Sequence, residues 1–150
     1  MSIVALPTKA KDMFCHATYT AAHAINRAYA PHLQVLGLTY PQYIALTLLW
    51  EEDGQKVNDL ARQLHMETNT VTPLIKRLEG HGHVTRRKDD KDGRAVVVSL
   101  TEQGKKLQAS AKTITACMIE ATSLSHTELT QLHGLLIRLR DGLEAVQTGK

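Results

Sequence analysis

Thr68-Asn69-Thr70-Val71-Thr72-Pro73-Leu74-Ile75-Lys76-Arg77-Leu78-Glu79 is the stretch on which the reading of this chain turns. Val71, Leu74, Ile75 and Leu78 recur at three- and four-residue steps, which predicts the inner face of an amphipathic helix. Gly80 and Gly82 close it. Ahead of it a short helix is predicted with Val57, Leu60, Ala61 and Leu64 on one face, and His65-Met66-Glu67 forms the break between the two. Two short helices joined by so tight a turn make a helix-turn-helix. Downstream, Val84-Thr85-Arg86-Arg87-Lys88 and Ala95-Val96-Val97-Val98-Ser99-Leu100 flank the polar turn Asp89-Asp90-Lys91-Asp92-Gly93-Arg94. β-Branched runs around a turn rich in Asp and Gly predict a hairpin. A basic hairpin directly after a helix-turn-helix is a wing.

With its apolar face committed to the core, the second helix turns Thr68, Asn69, Thr70, Thr72, Lys76 and Arg77 outward. Hydroxyl, amide and basic side chains suit base edges and phosphates in a major groove about 12 Å wide. The first residues of a recognition helix usually carry the base contacts, and free N–H groups at that end favour phosphate. The wing adds Arg86, Arg87, Lys88, Lys91 and Arg94. Its tip is placed to reach a neighbouring minor groove, where arginine responds to width and negative potential. Asp92, two residues before Arg94, is expected to hold that guanidinium extended through a bidentate pair. A basic run alone would mean only a solvated face. Helix-turn-helix, polar recognition face and basic wing in this order point to double-stranded operator DNA.

Working outward, a helix is predicted from about Asp12 to Ala30, with Phe14, Ala17, Ala21, Ala24, Ile25 and Ala28 as its stripe and Pro31 and Gly37 as breakers. Thr39-Tyr40-Pro41-Gln42 reads as a capping box opening a buried helix from Tyr43 through Trp50. Thr101-Glu102 begins one long helix through Leu107, Ala111, Ile114 and Met118. Ser125-His126-Thr127-Glu128 is a second capping box, and a last helix carries Leu129, Leu132, Leu135, Leu136, Leu139 and Leu143. The fold class is mainly α with a small β-hairpin wing. Residues 41–100 are expected to form the winged helix-turn-helix, and 1–40 with 101–150 a helical dimerisation region. The apolar terminal helices lie outside a compact winged core, so a second copy is the expected cover, and two-fold symmetry matches a palindromic site.

The 150 residues are 43% hydrophobic and 22% charged, which is ordinary for a soluble globular protein. The net charge of +3 permits nucleic-acid binding without demanding it. No apolar stretch reaches the roughly 20 residues of a membrane span. Met1-Ser2-Ile3-Val4-Ala5-Leu6-Pro7 has too short an apolar run for a signal peptide, so a cytoplasmic location is expected. Two cysteines, Cys15 and Cys117, do not make a disulfide framework and are either buried small hydrophobes or redox-active thiols.

Gly37-Leu38-Thr39-Tyr40-Pro41-Gln42-Tyr43, Leu49-Trp50-Glu51-Glu52-Asp53-Gly54, Thr70 through Glu79 and Val98-Ser99-Leu100-Thr101-Glu102-Gln103-Gly104 resemble the MarR family of regulators, over about residues 11–146. Leu38 through Tyr43 together with Cys15 is most similar to its organic-hydroperoxide-sensing branch, the OhrR repressors. The resemblance implies that Cys15 is the reactive cysteine and that Tyr29 and Tyr40 hydrogen-bond its sulfur, with Tyr19 nearby. It implies for Cys117 the place of a resolving cysteine that closes a disulfide between subunits. Three positions depart from the pattern: Asn69 replaces a small residue, His83 an aliphatic, and Gly93 a residue with a side chain.

Physics supports the sensing role. If Asp12 caps the first helix, Cys15 lies in its first turn, where a thiolate faces the positive helix end. Cys15 and Tyr29 are 14 residues apart. On one helix that is roughly 21 Å, so any contact between them must come from a partner subunit paired antiparallel. Competing readings are a repressor released by a small phenolic ligand, a thiol peroxidase, and a metal sensor using His81 and His83 or His16 and His23. No catalytic grouping, phosphate loop or cofactor motif is present, so an enzyme is not expected.

Overall fold

The computed structural model describes residues 6–149 and forms two compact units, divided between Ile114 and Thr115. The signal-peptide reading of the first seven residues falls mostly outside the described residues. A single 3-10 turn, Ala10–Asp12, precedes helix α1, Phe14–Leu36. There follow α2 Tyr40–Glu51, strand β1 Gln55–Lys56, α3 Val57–Gln63, α4 Thr68–Gly80, β2 Val84–Lys88, β3 Val96–Leu100, α5 Glu102–Lys106, α6 Gln108–Ala121 and α7 His126–Thr148.

The helix-turn-helix and the hairpin form as the pattern predicts. Leu46, Leu49, Leu60, Val71, Ile75, Leu78, Val84 and Val98 are fully buried, so α2, α3, α4 and the wing strands share one core. Both capping boxes are present. At α2, Gln42 N donates to Thr39 Oγ1 at 3.4 Å and Thr39 N to Gln42 Oε1 at 2.9 Å. At α7, Ser125 N donates to Glu128 Oε2 at 2.7 Å and Glu128 N to Ser125 Oγ at 3.2 Å. These bonds lower the Glu128 carboxyl below the ordinary glutamate range, because they favour its ionised form.

Three expectations need correction. First, Pro31 lies inside α1 and does not end it. A mid-helix proline costs about 3 kcal/mol, but the following turn is anchored by packing and a strong stop. Leu33 and Leu38 are both buried, Leu38 N donates to the Leu33 carbonyl at 3.0 Å, and Gly37 takes a left-handed φ of 68°. Second, Met13 and not Asp12 is the N-cap of α1, with no side-chain capping bond. Asp12 sits in the preceding 3-10 turn, and Cys15 is the second residue of the helix. Third, the long helix after the wing is interrupted at Leu107. The break falls where the Gly104 carbonyl, the acceptor a continuous helix offers to residue 108, takes the Trp50 indole N–H at 2.9 Å.

A two-residue strand, too short for the alternation signal, escapes the sequence reading. β1 pairs antiparallel with β3, Gln55 opposite Val98 and Lys56 opposite Val97. β3 also pairs with β2 from Val84 opposite Leu100 to Lys88 opposite Val96, so the sheet order is β1-β3-β2. Buried Gln55 fixes β1 by donating from Nε2 to the Leu48 and Glu52 carbonyls at 2.9 and 2.7 Å. The bonds take up two carbonyls at the end of α2.

The stretch Leu100-Thr101-Glu102-Gln103-Gly104 closes the winged core. Thr101 caps α5 by accepting from Gly104 N at 3.1 Å, and its hydroxyl donates to the Gly82 carbonyl at 2.6 Å. Thr101 N donates to the His83 carbonyl at 3.1 Å. A Cβ on Gly104 would collide with that same carbonyl oxygen, so only glycine allows the approach. Gly104→Ala is expected to lower stability to urea unfolding by about 2 kcal/mol, the usual cost of overpacking a tight contact. An unchanged unfolding midpoint would show that the seam yields without cost.

Candidate nucleic-acid interface and thiol site

The first turn of α4 is set by its neighbour α3. Thr68 Oγ1 donates to Asn58 Oδ1 at 3.2 Å, and Thr72 Oγ1 donates to the Thr68 carbonyl at 2.9 Å. Glu67 is the N-cap and makes no side-chain capping bond, so the orphan N–H groups of this end face outward. Thr68, Asn69, Thr70, Lys76 and Arg77 are exposed, and Thr72 is half-buried. Asn69 and Lys76 lie opposite Val71, Leu74, Ile75 and Leu78, with Thr68, Thr70, Thr72 and Arg77 on the flanks of that apolar stripe.

In the wing, Arg87, Lys88, Asp92 and Arg94 are exposed. Arg86 is engaged differently. Its backbone N and its Nε donate to the Glu79 carboxylate at 3.0 and 3.1 Å, and Nη2 lies 3.1 Å from Glu79 Oε1. This fork ties the wing strand to the last turns of α4, so Arg86 sets the angle between the two elements. The expected Asp92–Arg94 guanidinium pair is replaced by a backbone bond: Asp92 Oδ1 accepts the Arg94 N–H at 3.1 Å, shaping the turn. At the base of the same turn, Lys56 Nζ meets Asp89 Oδ2 at 3.4 Å.

Recognition helix and wing enclose a cleft of about 190 Å³, lined by Lys56, Asn58, Thr68, Thr72, Arg86 and Arg94 among others. Its rim is cationic. Lys56, Asn58 and Glu79 belong to this region and are absent from the sequence-based list. The i+10 spacing of Asn58 to Thr68 and the pairing of β1 with the wing carry no periodic signal.

Cys15 and Cys117 are both free and exposed. Cys15 stands at the start of α1 and Cys117 in α6. Tyr29 and Tyr40 come together within the chain, their ring centroids 4.9 Å apart at a tilt of 56°. Tyr43 joins them, 5.9 Å from Tyr29, and its other edge meets Trp50 at 6.2 Å. The Tyr43 hydroxyl donates to the Ala111 carbonyl at 3.5 Å, a long bond. Burial, the dominant cause, and the neighbouring phenols raise the pKa of Tyr29 and Tyr40 above the ordinary 10.0. Both therefore keep their protons at neutral pH and are hydrogen-bond donors. Tyr19 is separate from this cluster: it is exposed and packs edge-on against the His23 ring at 4.4 Å.

Cys15 and Tyr29 lie on the same unbroken α1, 14 residues apart, so within one chain they stand roughly 21 Å from each other along the axis. The structure thus brings together the tyrosines of the expected sensor but not the cysteine with them. Among the described residues no three histidine, cysteine or carboxylate side chains converge as a metal cage. No helix of the described residues is long and apolar enough to cross a membrane.

A family model described as MarR family matches residues 38–96, the segment from just before α2 to the first residue of β3. The regulator TtmR of Methylorubrum extorquens is 39% identical over 93% of this chain and 71% of its own length. The organic hydroperoxide resistance transcriptional regulator of Bacillus subtilis is 36% identical over 90% of this chain and 92% of its own. Among solved structures, reduced AbfR bound to DNA superposes with a TM-score of 0.76 at 30% identity, covering 89% of this chain and 91% of that one. AbfR with its disulfide formed has a TM-score of 0.63, also at 30% identity, covering 89% and 88%. With the fold, the basic wing and these relatives in agreement, the chain belongs to the MarR family and is a winged-helix, DNA-binding transcriptional regulator.

Proposed function

We propose that the chain is a peroxide-responsive repressor. In this reading the reduced homodimer binds a palindromic operator in the cytoplasm. The first turn of α4 enters the major groove, with Asn69 and Thr70 at base edges and Lys76, Arg77, Arg87 and Lys88 on phosphates. Arg94 at the wing tip reaches the minor groove. Half-site spacing near one helical turn, about 34–36 Å, follows from two-fold symmetry.

Organic hydroperoxide then acts on Cys15. The thiolate attacks one peroxide oxygen, the O–O bond breaks, and the products are a sulfenic acid and an alcohol. The thiol of Cys117 from the other subunit attacks the sulfenic sulfur, water leaves, and a disulfide forms. Drawing the two sulfurs to about 2 Å displaces the helices that carry them and respaces the recognition helices, so DNA is released.

The observation that carries this reading is the Tyr29–Tyr40 pair, two protonated phenols in tilted contact, one on α1 far from Cys15 and the other at the start of α2. Antiparallel pairing of two α1 helices lays the cysteine of one chain beside the phenols of the other. The exposed apolar side chains of the terminal helices support such pairing: Phe14 and Ile25 on α1, and Leu135 and Leu143 on α7, are 63%, 45%, 59% and 56% exposed. The B. subtilis relative, named for organic hydroperoxide resistance, and AbfR, solved both with DNA and with a disulfide formed, agree in kind. A second reading has one specific support. The cationic cleft between α4 and the wing suits a small phenolic anion that would disturb DNA contact.

Operator release separates the two. The reduced protein, Cys15→Ser and Cys117→Ser are titrated with an organic hydroperoxide on a palindromic promoter fragment and run on non-reducing gels. The expected result is that only the wild-type protein is released, because neither Cys15→Ser nor Cys117→Ser can close the disulfide that moves the helices, and that the oxidised dimer band is absent from both variants. Equal release of all three would transfer the role to a bound ligand. On the DNA side, Asn69→Ala is expected to cost about 1–3 kcal/mol on the operator and little on random duplex. Arg94→Ala should lower the salt slope of binding by about one. An Asn69→Ala protein with operator affinity intact would remove that residue from base recognition.

A further inference from the structure

We propose that His83 is a proton-sensitive latch on the DNA-binding surface, whose protonation loosens the seam between α4, the wing and α5 and weakens DNA binding. The proposal rests on the reading of α4 and the wing as the DNA-contacting elements. It is independent of the cysteine chemistry.

His83 occupies the short link between the end of α4 and the start of β2. It is only 5% exposed, in a place where the family resemblance implies an aliphatic residue. Its backbone serves as the seam itself: His83 N donates to the Leu78 carbonyl at 3.0 Å, and its own carbonyl accepts Thr101 N at 3.1 Å. The ring faces α5 through Gln103, whose Nε2 lies 3.5 Å from His83 Nδ1 and 3.2 Å from the His81 carbonyl, to which it donates. The Gln103 amide presents N–H groups to both. In the tautomer that carries its proton on Nε2, His83 Nδ1 accepts in that contact.

A second proton on Nδ1 sets two donors against each other. Gln103 must then turn its amide, and the bond to the His81 carbonyl is lost with it. The titratable neighbour that faces His83 is His81, its ring centroid 6.2 Å away, and it repels an added charge. The charged groups on the adjoining elements answer one another: Glu79 of α4 holds Arg86 of β2, and Glu102 of α5 holds Lys105 at 3.2 Å. Burial first, and His81 second, lower the pKa of His83 below 6.5. The folded chain thus binds this proton less readily than the unfolded one. Its stabilisation is complete above about 6.5 and is lost as pH falls below that value.

The test compares the wild-type chain, His83→Leu and His83→Gln, the last retaining an acceptor but unable to take the proton. Affinity for a random-sequence duplex is measured by anisotropy from pH 7.5 to 5.5 at fixed ionic strength, with the His83 Cε1–H resonance followed with and without DNA. The other histidines are common to all three proteins, so the ratio of dissociation constants reports the substitution at position 83. The expected result is a wild-type to His83→Leu ratio that rises at least about threefold on acidification, equivalent to half a pKa unit of linkage. His83→Gln should follow His83→Leu, and the ring should titrate at lower pH when DNA is bound. A constant ratio, or a His83 resonance that titrates identically with and without DNA, overturns the latch. Absence of duplex binding by all three at pH 7.5 would instead overturn the DNA-contact reading. In that case urea stability against pH still tests the latch, since His83→Leu must then flatten the loss below about 6.5.

Discussion

The carbonyl oxygen of His83 is where the DNA-binding half of this protein is held together. It receives the Thr101 N–H and lies so near Gly104 that no side chain fits between them. Thr101 turns its hydroxyl to Gly82, and the Gly104 carbonyl takes the Trp50 indole from α2. One small volume thus joins the end of α4, the first wing strand, the post-wing helix and the buried α2. A buried backbone carbonyl must be satisfied, and a close approach of two backbones tolerates no Cβ. Those two rules make the Leu-Thr-Glu-x-Gly pattern a structural requirement. Because the Glu79–Arg86 fork braces the same elements from the other side, the angle between α4 and the wing is doubly fixed.

The proposed sensor depends on a different constraint, the length of one helix. α1 runs from Phe14 to Leu36 without interruption and keeps Cys15 far from the Tyr29 and Tyr40 phenols. A thiol site that needs both must borrow one half from another chain. Signal and dimer interface are then the same surface, so chemistry at a sulfur acts directly on the spacing of the two recognition helices. Tyr29 also meets Tyr43, and Tyr43 meets Trp50. The phenol cluster and the His83 seam are thereby packed against opposite ends of α2.

Much of this was legible from residue spacing. The inner faces of α3 and α4, the two capping boxes and the hairpin follow from strong local signals, and each forms where the sequence predicts. What sequence could not supply was set by contacts far apart in the chain. Pro31 is carried through α1 because the turn that follows it is anchored by the burial of Leu33 and Leu38, and no local rule sees that packing. The post-wing helix breaks at Leu107 because the Gly104 carbonyl is taken by an indole 54 positions before it. Arg86, by charge a phosphate ligand, is drawn to Glu79 seven residues before it, and Asp92 is drawn to backbone in place of the Arg94 guanidinium. The tyrosine pair was named from family resemblance alone, and its contact required the turn at Gly37.

Subunit complementation tests the central claim most directly. Cys15→Ser chains are mixed with chains carrying Tyr29→Phe and Tyr40→Phe, and the purified heterodimer is assayed for peroxide-driven DNA release. If the sensor is built across two chains, the heterodimer contains one intact site, the cysteine of one chain against the phenols of the other. It should then regain release that neither homodimer shows. A heterodimer as unresponsive as its Cys15→Ser parent, with DNA binding intact, would contradict a shared site and with it the account of how oxidation reaches the DNA.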